Sequence, residues 1–180
     1  MVNVRLSVLI AVLALSSCSV APSDNRLPAS EQTPVYSIEG RSVELENGLF
    51  TGDDGTISLL TSASGDLDGD AVADQAAILV HSSRGTGTFY YLNVLLTNDP
   101  GSAARVAFLG DRIRFDYVDI YGEGSVSRLT GVPIHPDDYG KLVVGYYTHG
   151  RNQAFAEIPE IYVTKHWRTD DGKLVLVEDY

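Results

Sequence analysis

Four aspartates at short, regular intervals are the residues of this sequence best placed to do chemistry. Asp66, Asp68, Asp70 and Asp74 fall at the first, third, fifth and ninth positions of the segment 66–74, called here the acidic loop. A tightly wound loop with this spacing turns alternate carboxylates toward one hard cation, and oxygen-only ligands suit Ca²⁺. Carboxylates held close together repel one another unless a counter-ion is bound. The spacing therefore predicts a Ca²⁺ site at these four aspartates.

A second interpretation of the acidic loop needs no metal. Aspartate side chains often cap turns by accepting hydrogen bonds from backbone N–H groups nearby in the chain. The sequence leaves both interpretations open.

The acidic loop resembles the calcium loops of EF-hand, dockerin and FG-GAP repeat proteins, with two departures. The sixth position, where those loops favour glycine for a left-handed backbone, is Ala71, and that conformation costs a non-glycine residue roughly 1 kcal/mol. The bidentate glutamate of the EF-hand's twelfth position is replaced by Ala77. The resemblance therefore implies a weak site, in the range of about 10⁻⁴–10⁻³ M, whose flanking elements need not be helices.

The only cysteine of the chain, Cys18, lies at the end of a leader-like segment. Arg5 is followed by an apolar run over residues 6–15 and by Ser16 and Ser17, which is the layout of a secretory signal. The run is about half of the ~20 residues that a membrane-spanning helix needs. The series Leu15-Ser16-Ser17-Cys18 resembles the lipobox of bacterial lipoproteins, which implies cleavage before Cys18 and lipidation of its thiol.

The predicted division of the chain follows from this front end. Residues 1–17 are predicted to be a lipoprotein signal peptide, and residues 18–34 a lipidated N-terminus and flexible tether, because this stretch holds three prolines and no apolar periodicity. Two or three acyl chains would anchor the protein stably. Residues 35–180 are predicted to form one globular domain, and Ser19 after the cysteine favours an outer-membrane location facing the periplasm in a cell with two membranes.

The fold class is predicted from short runs rich in Val, Ile, Tyr, Phe and Thr, separated by Gly, Asp, Asn and Pro. These favour a mainly β fold, a single antiparallel β-sandwich or barrel-like domain with long connections and at most one short helix, near Pro136–Gly140. The apolar run 76–80 indicates a central strand. Two hairpin turns are expected, at 121–124, leading into a strand over Ser125–Leu129, and at 169–172.

Charge and composition limit the partners. A net charge of −11 argues against nucleic acid or an anionic lipid surface as the main partner, because both require clustered Lys and Arg. The acidic loop together with segments 65–80, 87–92, 109–113 and 148–150 resembles a group of uncharacterised bacterial lipoproteins and secreted proteins. That resemblance implies a fold and a location, and no activity.

Other candidate groups carry weaker signals. The four histidines, His81, His135, His149 and His166, are scattered, and the pairs Asp137-Asp138 and Asp170-Asp171 suit exposed turns. Six aromatic residues could form a binding face for sugar or peptide, although aromatic residues in strands are more often core. They are Tyr90, Tyr91, Tyr146, Tyr147, Tyr162 and Trp167.

The expectation from sequence is therefore a membrane-anchored, extracytoplasmic lipoprotein. It would be a monomeric, non-enzymatic binding or envelope-support module with an unidentified envelope partner, and no catalytic residue is assigned. The alternative is an extracytoplasmic hydrolase that uses Asp or His residues.

Overall fold

The structure is a computed structural model that describes residues 33–99 and 105–179. The predicted signal peptide, Cys18 and the tether up to residue 32 lie outside the described residues. Eleven strands are formed within the part of the chain that the structure describes: β1 Val35–Ile38, β2 Arg41–Glu44, β3 Leu49–Gly52, β4 Gly55–Gly65, β5 Asp74–Ser83, β6 Thr88–Leu95, β7 Arg105–Asp111, β8 Arg114–Ile120, β9 Leu142–Thr148, β10 Ile161–Asp170 and β11 Lys173–Asp179.

The strands form three antiparallel sheets. The order is β3-β4-β5-β6-β7 in the largest, β11-β10-β9-β8 in the second, and β1-β2 in the third. The only helical segment of the described chain is the 3-10 turn Pro136–Asp138. The mainly β fold is confirmed. Across the described ranges the sheets do not close into a barrel, so the sandwich is the better of the two predicted architectures.

Strand β5 is central, as the apolar run predicted. It lies third of five in the largest sheet, and Ala76, Ala77, Ile78 and Leu79 are all fully buried. Because successive side chains of a strand point to opposite faces, such a run requires cover on both sides of the sheet.

The main core lies between the two large sheets. Each sheet contributes alternate apolar side chains, and together they form one cluster of buried residues, which includes Ile78, Leu92, Val94, Leu142, Val144, Tyr146 and Trp167.

The opposite face of the largest sheet is covered by the β1-β2 hairpin. Tyr36, Ile38 and Val43 of the hairpin pack with Leu79 and Tyr91 in a second buried cluster. β1 and β3, each four residues long, were not predicted.

The two expected hairpin turns have opposite outcomes. β10 and β11 are joined through Asp171 and Gly172, whose φ angles of 47° and 70° fit a type I′ turn, so this prediction is confirmed. The prediction of a hairpin with a strand over Ser125–Leu129 is wrong, since this stretch makes only the isolated bridge Val126–Pro133. β8 pairs instead with β9, whose Leu142, Val143 and Val144 are fully buried and gain more from a place inside the sheet.

Candidate metal centre

The acidic loop connects two neighbouring strands of the largest sheet. β4 ends at Gly65 and β5 begins at Asp74, so the loop spans the gap between adjacent antiparallel strands. Leu67 is its anchor, because this side chain is 4% exposed and belongs to the main core. With Leu67 fixed inside, Asp66 and Asp68 on either side of it are held at the surface.

Three of the four predicted ligands converge. Carboxylate oxygens of Asp66, Asp68 and Asp74 all lie within 4.8 Å of one another, and this group could hold a metal ion. Asp66 is half-buried, Asp68 is exposed and Asp74 is buried. The set therefore runs from the protein interior to the solvent.

Asp70, the fourth predicted ligand, lies outside this group. Its Oδ2 accepts a hydrogen bond from Asn98 Nδ2 at 2.5 Å and its Oδ1 accepts one from Val72 N at 2.8 Å. These bonds, that from Val72 first, hold the pKa of the Asp70 carboxyl below its usual range. Asp70 is therefore bonded to the segment that follows β6 and does not belong to the three-carboxylate group.

Backbone N–H groups within the loop also point at the aspartates. Asp66 accepts hydrogen bonds from Gly69 N at 2.7 Å and from Ala71 N at 3.0 Å, and Asp68 accepts one from Asp70 N at 3.2 Å. This is the turn capping of the second interpretation. Each carboxylate oxygen has two lone pairs, so capping and cation binding are compatible at the same side chains.

The left-handed backbone at the sixth position is present despite the missing glycine. Ala71 has a φ of 63°, and Gly69 has a φ of 85°. An alanine in this region of φ/ψ space is strained by roughly 1 kcal/mol. The loop thus keeps the conformation that the resemblance implied, at an energetic cost.

Asp74 is the buried end of the group. It is 1% exposed, and its carboxylate accepts hydrogen bonds from Leu67 N and Thr97 N, both at 2.9 Å. Burial raises the pKa of Asp74, the two N–H groups oppose that shift, and the negative charges of Asp68 and Asp70 add to it. Ionised Asp74 is therefore a charge that the metal-free fold stabilises incompletely.

Two further elements hold the loop, and neither was identified from the sequence. Thr97 and Asn98, which follow β6, contact Asp74 and Asp70, and Thr169 Oγ1 of β10 donates to the carbonyl of Leu67. The pairing of β5 with β6 could have indicated the first contact, because the end of β6 must lie beside the start of β5. No signal in the sequence pointed to Thr169.

A cleft of about 420 Å³ opens beside the loop. Asp66 and Asp68 form one wall, and Tyr121, Tyr139 and Arg168 contribute to the others. Arg168 also donates to the carbonyl of Asp137, which holds the 3-10 turn against the cleft. A cation bound at the outer carboxylates would be accessible from this side.

The other candidate residues do not join the loop. In the described chain, the metal-capable group contains none of the four histidines, and Asp138 pairs with Lys141 at 2.9 Å. The six aromatic residues do not form one face. Tyr146 and Trp167 are in the main core, whereas Tyr147 and Tyr162 are half-buried on the outer face of the second sheet.

Comparisons with known proteins do not supply an identity. Within the described residues, none of the secondary structure is a helix with the length and apolar character needed to cross a membrane. Searches among protein-family models, curated protein sequences and solved structures find no match to this chain.

Proposed function

We propose that this protein is a lipid-anchored, extracytoplasmic lipoprotein whose β domain is a non-enzymatic module that binds Ca²⁺ at the acidic loop. The observation that carries the calcium assignment is the convergence of Asp66, Asp68 and Asp74 within 4.8 Å. All three offer oxygen ligands, which hard cations such as Ca²⁺ prefer. The open wall of the cleft leaves room for water molecules to complete the coordination.

A bound cation would stabilise the fold through electrostatics. It would offset the mutual repulsion of the three carboxylates, which is strongest at Asp74 because burial reduces the screening by water. It would also bridge the loop to the first residue of β5. Calcium is therefore proposed as a structural ion that ties the β4-β5 connection to the core.

Thermal denaturation of the purified full-length protein tests the metal site. With a dissociation constant of about 10⁻⁴–10⁻³ M, 10 mM Ca²⁺ should stabilise the folded state by about 1.4–2.7 kcal/mol relative to EDTA, a rise of roughly 4–8 °C in Tm. Asp68→Asn should remove that rise, because it takes one carboxylate from the group of three. Asp68 is exposed, so the substitution should disturb the fold little in EDTA.

Asp70→Asn is the matched control. It removes the same charge from the same loop, but the carboxylate that it replaces is directed toward Asn98. The control should keep most of the calcium-dependent rise. Equal melting of the unaltered protein in Ca²⁺ and EDTA, or equal loss of the rise in both variants, would contradict the site.

The anchor is tested separately at Cys18, because the lipobox resemblance is the argument for it. In cells that process bacterial lipoproteins, Cys18→Ala should leave the leader uncleaved and prevent incorporation of labelled fatty acid. Ser17→Ala is the control, since a small residue is retained before the cysteine. Mass spectrometry that shows normal maturation of Cys18→Ala, or an unacylated native chain with residues 1–17 intact, would refute lipidation.

A further inference from the structure

A row of polar and aromatic side chains crosses the outer face of the second sheet, away from the acidic loop. Arg114 of β8, Tyr147 of β9 and Tyr162 of β10 are successive cross-strand neighbours. The rings of Tyr147 and Tyr162 meet edge to face with centroids 4.7 Å apart, and Tyr162 Oη donates to Asp116 Oδ2 at 3.0 Å. Arg114, Asp116, Tyr147 and Tyr162 are called here the tyrosine patch.

A β-bulge in β8 places Asp116, the hydrogen-bond acceptor of the patch. The pairing of β8 with β9 passes from Phe115–Tyr146 directly to Tyr117–Gly145, so Asp116 is an extra residue without a partner on β9. Bulges redirect side chains and are frequent beside functional sites. Here the bulge lets both Asp116 and Tyr117 face outward, and it brings Asp116 to the hydroxyl of Tyr162.

Gly145 makes room for this arrangement. A Cβ at this position would overlap the ring of Tyr117 and the hydroxyl of Tyr162. The aromatic rings therefore pack flush against the β9 backbone, and the patch is held rigid by the sheet beneath it. Rigid aromatic side chains bind a partner with little loss of conformational entropy.

Arg114 is held in place by a ring rather than by a carboxylate. Its guanidinium carbon lies 3.7 Å from the centroid of Tyr147, and it makes no ion pair or side-chain hydrogen bond within ranges 33–99 and 105–179. Arg84 and Arg151 also make no ion pair within the described residues, but neither of them is stacked on an aromatic ring there. Five other arginines each lie within 4.0 Å of a carboxylate: Arg41, Arg105, Arg112, Arg128 and Arg168.

The geometry points to a binding site for a short acidic saccharide, a chain of uronic acids, at the tyrosine patch. The exposed guanidinium has N–H donors left for a ligand carboxylate, and its stacking on Tyr147 fixes their position. The apolar C–H groups of a sugar ring can pack on the parts of the Tyr147 and Tyr162 rings that Arg114 leaves exposed. Asp116 accepts from Tyr162 with Oδ2, so its Oδ1 is an acceptor for a sugar hydroxyl. This site involves no residue of the acidic loop.

Calorimetric titration of the full-length protein with trigalacturonic acid tests the proposal. The saccharide should bind, its methyl ester should bind at least about tenfold more weakly because the carboxylate charge is absent, and affinity should fall with added salt. Arg114→Gln should weaken binding about tenfold, and Tyr147→Leu should weaken it comparably. Binding should be the same in EDTA and in Ca²⁺, so a failure here is separate from a failure of the metal site.

Arg112→Gln is the matched control. Arg112 is also stacked on an aromatic ring, that of Phe155 at 4.4 Å, but it pairs with Asp111 at 2.8 Å. This variant should keep the affinity of the unaltered protein. Equal affinity for the acid and its methyl ester, equal losses in both arginine variants, or binding of an acidic peptide without binding of the saccharide would each overturn the proposal.

Discussion

The acidic loop and the tyrosine patch are built in different ways. The three carboxylates of the loop come from nine consecutive residues, whereas the four side chains of the patch come from three strands that are brought together by register and one bulge. The loop concentrates like charges, which a bound cation would balance. The patch separates its charges, because Arg114 stacks on Tyr147 and Asp116 bonds Tyr162.

Because of this difference, different substitutions should disrupt the two regions. The loop depends on buried groups at its ends, so changes there should affect the stability of the fold. The patch depends on the absence of a side chain at Gly145 beneath it, so a substitution there should matter more than changes in its exposed charges. Four substitutions or conditions, taken from the largest expected effect to the smallest, test this contrast.

Asp74→Ala should have the largest effect. It leaves the N–H groups of Leu67 and Thr97 without acceptors. Each such loss costs about 1–3 kcal/mol, so the free energy of unfolding should fall by about 2–6 kcal/mol. Chemical denaturation in EDTA measures this without a contribution from metal. Asp116→Ala, the corresponding change in the patch, should cost less than about 0.5 kcal/mol, and equal costs would break the comparison.

Gly145→Ala should have the next largest effect. The added methyl group overlaps Tyr117 and Tyr162, and overpacking of this kind costs about 1–3 kcal/mol. Both tyrosines must move, so saccharide binding at the patch should be lost while the calcium-dependent rise in Tm persists. An unchanged affinity for trigalacturonic acid would show that the space above Gly145 is not what positions the patch.

Ala71→Gly should stabilise the loop. Relief of the left-handed strain should raise the free energy of unfolding by about 0.5–1 kcal/mol and tighten Ca²⁺ binding, as measured by calorimetry. Ala73→Gly is the control in the same loop, because Ala73 is not among the residues with positive φ and should lose stability on the same change. Stabilisation by both variants would point to loop flexibility instead of strain.

A lower pH should have the smallest effect, and it should act on the loop alone. The pKa of Asp74 is raised by burial, so on acidification the folded protein takes up this proton before an unfolded chain would. The proton competes with the cation, so calorimetric titrations should show a lower apparent Ca²⁺ affinity at pH 5 than at pH 7.5. The patch contributes no ligand to the cation, so saccharide binding should be unchanged over the same range.

The sequence predicted those parts of the fold whose pattern was long and apolar. β5 was identified as central because a run buried on both faces has few other places in a sheet. The segment Ser125–Leu129 has only two apolar residues, Val126 and Leu129, which remain exposed, and β9 takes the place beside β8. Local pattern does not reveal which of two strands will win a partner, because that competition is decided by burial in the assembled sandwich.

The candidate site was predictable to the extent that it is local. The spacing of Asp66, Asp68 and Asp74 was sufficient, because the nine-residue loop itself brings them together. Asp70 instead bonds Asn98, 28 positions further along the chain, and this contact depends on the pairing of β5 with β6. The patch could not be predicted, since Tyr147 and Tyr146 are adjacent in the chain and only the register decides which one faces outward.

Asp74 is both the last residue of the acidic loop and the first residue of β5. Asp74 therefore has to reach the carboxylates of the loop while it keeps its pairing with Gly65 of β4. A change of loop length that moved β5 by one position against β4 would make its two sets of side chains exchange faces. Relatives of this protein should accordingly vary the amino acids of the segment while preserving its length.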